Sequence, residues 1–112
     1  CIKPTSAGAW PKDATKTRQW WYRTLETKEE LNLALRFALG QQNVISAIPI
    51  SFLDVLDKVI DAAQMGVDPL TEKESGTLRT MAQNSLSLFE GQQKRALAGD
   101  FTADANCPNA YA

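Results

Sequence analysis

The run Val44-Ile45-Ser46-Ala47-Ile48-Pro49-Ile50-Ser51 constrains this chain more than any other stretch. It is short, apolar and led by β-branched residues, and Gly40 and a helical pattern bound it. Such a run reads as a strand buried on both faces, and strands of that kind occur mainly in parallel sheets. Helical patterns precede it at 28–39 and follow it at 52–65. Helix, buried strand, helix is one period of an α/β fold. Only the first four residues, Cys1 to Pro4, offer a second strand, which Pro4 ends because it lacks an amide for the ladder. Two strands cannot form a sheet covered on both faces, so the sequence predicts that these residues belong to a larger parent.

The rest of the chain divides around that run. Residues 5–26 show no clear period and contain all three tryptophans, two of them in a basic-aromatic patch, Lys16, Arg18, Trp20, Trp21, Tyr22 and Arg23. Irregular segments this long are uncommon in compact domains and are often functional. The tryptophans either pin the loop onto the body or line a ligand pocket. Thr27-Lys-Glu-Glu30 is a capping box opening a helix. Leu31, Ala34, Leu35, Ala38 and Leu39 give it an apolar stripe, and Gly40 closes it as a C′ residue. Ser51-Phe-Leu-Asp54 predicts a second box, before a stripe of Leu53, Leu56, Val59, Ile60 and Ala63. An Asp54–Lys58 pair is expected on the opposite side, and Gly66 stops the helix. Thr71-Glu-Lys-Glu74 is a third box, predicting a helix over 71–88. Residues 90–112 are expected to be weakly helical to disordered.

Charge and composition remove several function classes. With 12 Lys+Arg against 13 Asp+Glu, formal net charge is −1. A nucleic-acid binder needs a basic excess for counterion release, so nucleic acid is not an expected partner. No histidine is present, which excludes a histidine base, triad or metal ligand within these residues. No cysteine cluster suits a metal, no glycine-rich phosphate loop is present, and no run reaches the roughly 18 apolar residues of a membrane span. Cys1 and Cys107 can be two free thiols or one disulfide. The acidic residues fall on helix exteriors and N-caps, where solvation and the helix dipole explain them.

The informative positions are the two strand ends. In parallel α/β barrels the site is built there and in the following loops. Lys3, Pro4, Thr5 and Ser6 form one end; Pro49, Ile50, Ser51 and Phe52 form the other. Lys3 is expensive to bury unless it meets an anion or a carboxylate. Ser51 opens a helix, so amides there can meet a phosphate, although plain N-capping explains its side chain as well.

The ordered set Ile2-Lys3-Pro4, Trp20-Trp21-Tyr22-Arg23-Thr24-Leu25, Leu33-Ala-Leu-Arg36-Phe-Ala-Leu39, Val44-Ile-Ser-Ala-Ile-Pro49 and Asp68-Pro-Leu-Thr-Glu-Lys-Glu74 resembles the C-terminal quarter of the bacterial aldo/keto reductase-like oxidoreductases. The resemblance spans residues 1–89. It implies an α/β fold, the C-terminal part of a (β/α)8 TIM barrel. The end of strand seven, helix seven (28–39), strand eight (44–49), helix eight (53–65) and a terminal helix (71–88) would be here, with the N-terminal barrel portion missing.

The resemblance also implies an NAD(P)-dependent parent that reduces a carbonyl substrate, aldehyde or ketone, without metal. Its catalytic group would come from earlier strands, so this piece would be inactive alone. It would contribute the cofactor-binding positions Lys3, Pro4, Thr5, Pro49, Ile50 and Ser51. Many members read Ile-Pro-Lys-Ser after strand eight, the lysine and a later arginine holding the 2′-phosphate of NADP. Here Ile50 replaces the lysine and no arginine follows, so NADP and NAD both stay open. Ile2 stands where many members place the aromatic residue that stacks on nicotinamide. Two readings compete: a small helical partner-binding domain using the Trp-rich loop 10–23, and a secreted module closed by Cys1–Cys107.

Overall fold

The computed structural model describes residues 1–99. A short hairpin, β1 (Ser6–Ala9) and β2 (Tyr22–Thr24), precedes four helices, α1 (Lys28–Leu39), α2 (Leu53–Gln64), α3 (Glu72–Gln83) and α4 (Glu90–Leu97). The first helix begins and ends where its pattern predicts. Thr27 accepts from the Glu30 amide while the Glu30 carboxylate returns to the Thr27 amide, closing the box. Gly40 is the C-cap, but in the right-handed region (φ −77°), so its freedom is not used there. Gly66, at φ +109°, does make the left-handed turn after α2.

The expected box at α2 does not form. Phe52, not Ser51, is the N-cap, and no side chain caps that helix. The Asp54 carboxylate is instead engaged by Arg18. Nor does Lys58 pair with Asp54; its ammonium lies 3.9 Å from Glu26. The Thr71–Glu74 box of α3 is complete. That helix stops five residues before its predicted end: Asn84 caps it, and the Ser85 hydroxyl bonds back to the Met81 carbonyl at 2.9 Å. Residues 100–112, with Cys107 and its candidate bridge to Cys1, lie outside the described residues.

The run 44–51 is the main departure. It forms no strand, only one parallel bridge, Ile2 to Ile48. Two backbone bonds make it: the Lys3 amide to the Ile48 carbonyl at 3.2 Å and the Ile48 amide to the Cys1 carbonyl at 2.9 Å. Ile45 is 96% exposed, and Ile2 and Ile48 are also exposed. Burial on both faces is therefore not observed; the described residues offer this run one neighbour, and of its apolar side chains Ile50 enters the core and Ala47 packs against it. Residues 5–26 depart in the other direction, for they contain a hairpin. Ser6 faces Thr24 and Ala9 faces Tyr22, with an irregularity between. Strands of four and three residues separated by twelve carry too little pattern to be read from sequence.

The core joins the hairpin to the first two helices: Tyr22, Leu31, Leu35, Ile50, Val55, Val59 and Ala62, flanked by Trp20, Trp21, Phe52 and Leu88. Leu31 and Val55 have no solvent exposure, and burying each stabilises by roughly 1.5–3 kcal/mol. The face α2 buries is Val55, Val59 and Ala62. Leu53 and Ile60, expected in the stripe, point to solvent. Polar bonds tie the helices together as well. The buried Asn32 amide donates to the carbonyls of Ala62 (2.8 Å) and Gly66 (3.1 Å) at the end of α2. Arg36 holds both Glu74 carboxylate oxygens (2.7 and 3.0 Å) and the carbonyls of Asp68 and Pro69. This anchors α3, which buries no residue of its own.

Candidate functional site

The bridge at Ile2 and Ile48 sets the two candidate segments side by side, Lys3-Pro4-Thr5 on one and Pro49-Ile50-Ser51 on the other. Their side chains take different directions. Lys3 has φ +56°, a left-handed conformation that strains a non-glycine residue by roughly 1–2 kcal/mol. Its ammonium lies 5.5 Å from the centroid of Trp21 and 5.6 Å from that of Phe89. Among the described residues no carboxylate pairs with it. Pro4 lines an apolar cavity of about 310 Å³ between α1 and α3. Thr5 is 1% exposed; its carbonyl accepts from the Leu25 amide, and its buried hydroxyl has no hydrogen-bond partner among the described residues.

On the second segment Pro49 is half-buried, Ile50 is in the core and Ser51 is exposed. Ile50 thus faces the interior, where a cation in its place would be costly. Lys3 and Ser51 are the candidate positions whose polar groups remain accessible. The two segments lie beside each other at a single bridge, and the inward turn of Thr5 and Ile50 is not legible in the sequence.

The segment 50–54 is covered by the aromatic loop, and one residue fastens it. The Arg18 guanidinium makes a two-pronged bond to Glu26 (2.9 and 3.0 Å), pairs with Asp54 and lies 5.2 Å over the Phe52 ring. Thr24 donates to the same Glu26 carboxylate at 2.9 Å. Trp20 meets Phe52 and Tyr22 edge-on, with centroids 5.6 and 6.0 Å apart. The tryptophans Trp20 and Trp21 therefore pack against the body. Arg18 stood out in the sequence only as part of a basic patch. Its contact with Asp54 spans 36 positions, and no local signal reports a pairing over that distance.

Electrostatics define what such an arrangement does. Hydrogen bonds from Arg18 hold the Glu26 and Asp54 carboxyls below their ordinary range. Arg36, with the Thr71 amide and hydroxyl, lowers Glu74 to about 2. Lys94 lowers Glu90. A general acid at neutral pH needs its carboxyl shifted the opposite way. Carboxylates held ionised by cations fix geometry, while among the described residues the Lys3 ammonium has two aromatic rings and no carboxylate beside it, and no side chain caps the start of α2.

Comparison with family models, with curated proteins and with solved structures finds no match. Among the described residues no helix is long and apolar enough to cross a membrane.

Proposed function

We propose that these residues are the closing strand–helix units of an aldo/keto reductase-like barrel and supply one wall of its nicotinamide cofactor site, with no catalytic residue of their own. The observation that supports this reading best is the parallel bridge between Ile2 and Ile48. Parallel neighbours require a crossover, usually through a helix, and α1 lies in the connection between them. The exposed Ile2, Ile45 and Ile48 are the side chains expected of sheet strands whose remaining neighbours come from elsewhere. The exposed Leu53 and Ile60 give α2 a second apolar face, as in a helix covered from two sides.

In the parent, the backbone of Lys3, Pro4 and Thr5 would run along the cofactor's pyrophosphate and that of Pro49, Ile50 and Ser51 would approach its adenosine end, with the Thr5 and Ile50 side chains turned away into the interior. No cation stands at Ile50, so NAD fits this wall better than NADP. The carbonyl substrate and the hydride chemistry would meet on strands contributed by the missing N-terminal barrel portion.

The test has two arms. Extended upstream in its own reading frame, the protein should bind NADH more tightly than NADPH and oxidise it when an aldehyde or ketone is added. The 112-residue chain should show no turnover. Failure of the extended protein to bind either cofactor refutes the proposal. The second arm concerns the uncovered apolar side. The 112-residue chain should self-associate and bind an apolar dye strongly, and joint Ile45→Lys and Ile48→Lys substitution should suppress both. A monodisperse wild-type chain that leaves the dye dark counts against the reading.

A further inference from the structure

We infer that Leu86 to Phe89 form a strap that fastens over Lys3 and must unfasten before a pyrophosphate group can occupy that position; the inference rests on the reading of Lys3 as ligand-facing. Two fastenings flank Lys3. At one, the Ala9 amide donates to the Leu86 carbonyl at 2.9 Å. This approach depends on Gly8, buried with φ +86°, because a Cβ there would overlap the Leu86 carbonyl oxygen. At the other, the Phe89 ring and the Trp21 ring flank the Lys3 ammonium, at 5.6 and 5.5 Å, with the two rings edge-on and 6.5 Å apart.

The hold is light. Leu86 and Phe89 are both about half exposed, and no side chain caps α4 at Phe89. The fastening also opposes an anion. A ring face is electron-rich, which favours the ammonium and disfavours a phosphate brought up beside it. Phe89 and an anionic ligand therefore compete for Lys3. By linkage, the factor by which the strap weakens anion binding equals the factor by which the anion favours release of the strap.

The experiment titrates the 112-residue chain with inorganic pyrophosphate and follows amide exchange at Ala9. Pyrophosphate should bind wild type, should speed Ala9 exchange at least threefold, and should leave Leu35 exchange in α1 unchanged. Phe89→Leu, which keeps apolar bulk but removes the ring, should bind pyrophosphate at least threefold more tightly. Lys3→Met should abolish both effects. No pyrophosphate binding, equal affinity in wild type and Phe89→Leu, or Ala9 exchange unmoved at saturation would each overturn the strap. Should Phe89→Leu not fold, the wild-type Ala9 readout decides. Titration of the upstream-extended protein with NADH separates the two proposals. Pyrophosphate-driven release without NADH binding sinks the reductase reading alone, and NADH binding without release sinks the strap alone.

Discussion

Asn32→Leu tests the joint between α1 and α2 directly. The Asn32 side-chain amide, 7% exposed, is the donor that satisfies the Ala62 and Gly66 carbonyls at 2.8 and 3.1 Å. The Ala62 carbonyl, in the last turn of α2, also accepts from the Met65 amide at 3.2 Å, whereas the Gly66 carbonyl lies just beyond the helix end. Leucine has nearly the same shape, so packing is largely retained while both donated bonds are lost, together with the 3.3 Å bond that the Asn32 Oδ1 accepts from Arg36. A net loss of about 1 kcal/mol per donated bond gives about 2 kcal/mol, with about 3 kcal/mol as the ceiling if the Gly66 carbonyl stays dry. For a domain of this size that corresponds to a fall in Tm of roughly 8–16 °C. Urea denaturation followed by far-ultraviolet circular dichroism is the assay. The midpoint should drop with the slope unchanged, because the surface exposed on unfolding is the same. A change below about 0.5 kcal/mol would refute the reasoning and show that solvent replaces Asn32 without loss.

Other consequences follow from the same structure. Glu74 is held at about 2 against an ordinary 4.5, so its folded form binds protons less readily than its unfolded form. The stability it contributes is present above pH 4.5 and is lost as pH falls toward 2; Glu74→Gln should flatten the Tm–pH curve across that window, and an unchanged slope would contradict the assignment. Leu31→Ala empties a fully buried position beside Leu35, Val55 and Val59 and should cost about 3–5 kcal/mol, measured by the same urea titration; a loss near 1 kcal/mol would mean the site collapses around the cavity. Arg18→Met removes the fastener shared by Glu26 and Asp54 and should red-shift tryptophan emission as the loop lifts; unchanged emission would show that Trp20 and Trp21 hold the loop without it.

Much of the helical structure was legible because its signals are local. The Thr27–Glu30 and Thr71–Glu74 boxes lie within one turn each, and both helices start where those boxes place them. The Ser51–Asp54 box carried an equally good local signal and failed, since a guanidinium from residue 18 took the carboxylate it needed. The stripe of α2 failed in part for a related reason. Val55, Val59 and Ala62 compete with Leu53 and Ile60 for the inward side, and periodicity alone does not choose between two apolar faces. The neighbour that packs against the helix does.

The sequence by itself determined the bounds of α1, the start of α3 and the turn at Gly66. Each depends on residues close in the chain, where capping and periodicity act. Tertiary structure alone decided that Val44–Ser51 stays a single bridge, that Ile50 and Thr5 face inward while Lys3 lies between two rings, and that Asn32, Arg18 and Arg36 join the elements. A strand needs a partner along its length, and a polar side chain takes whichever group the fold brings within reach. Neither condition is written in the neighbouring residues.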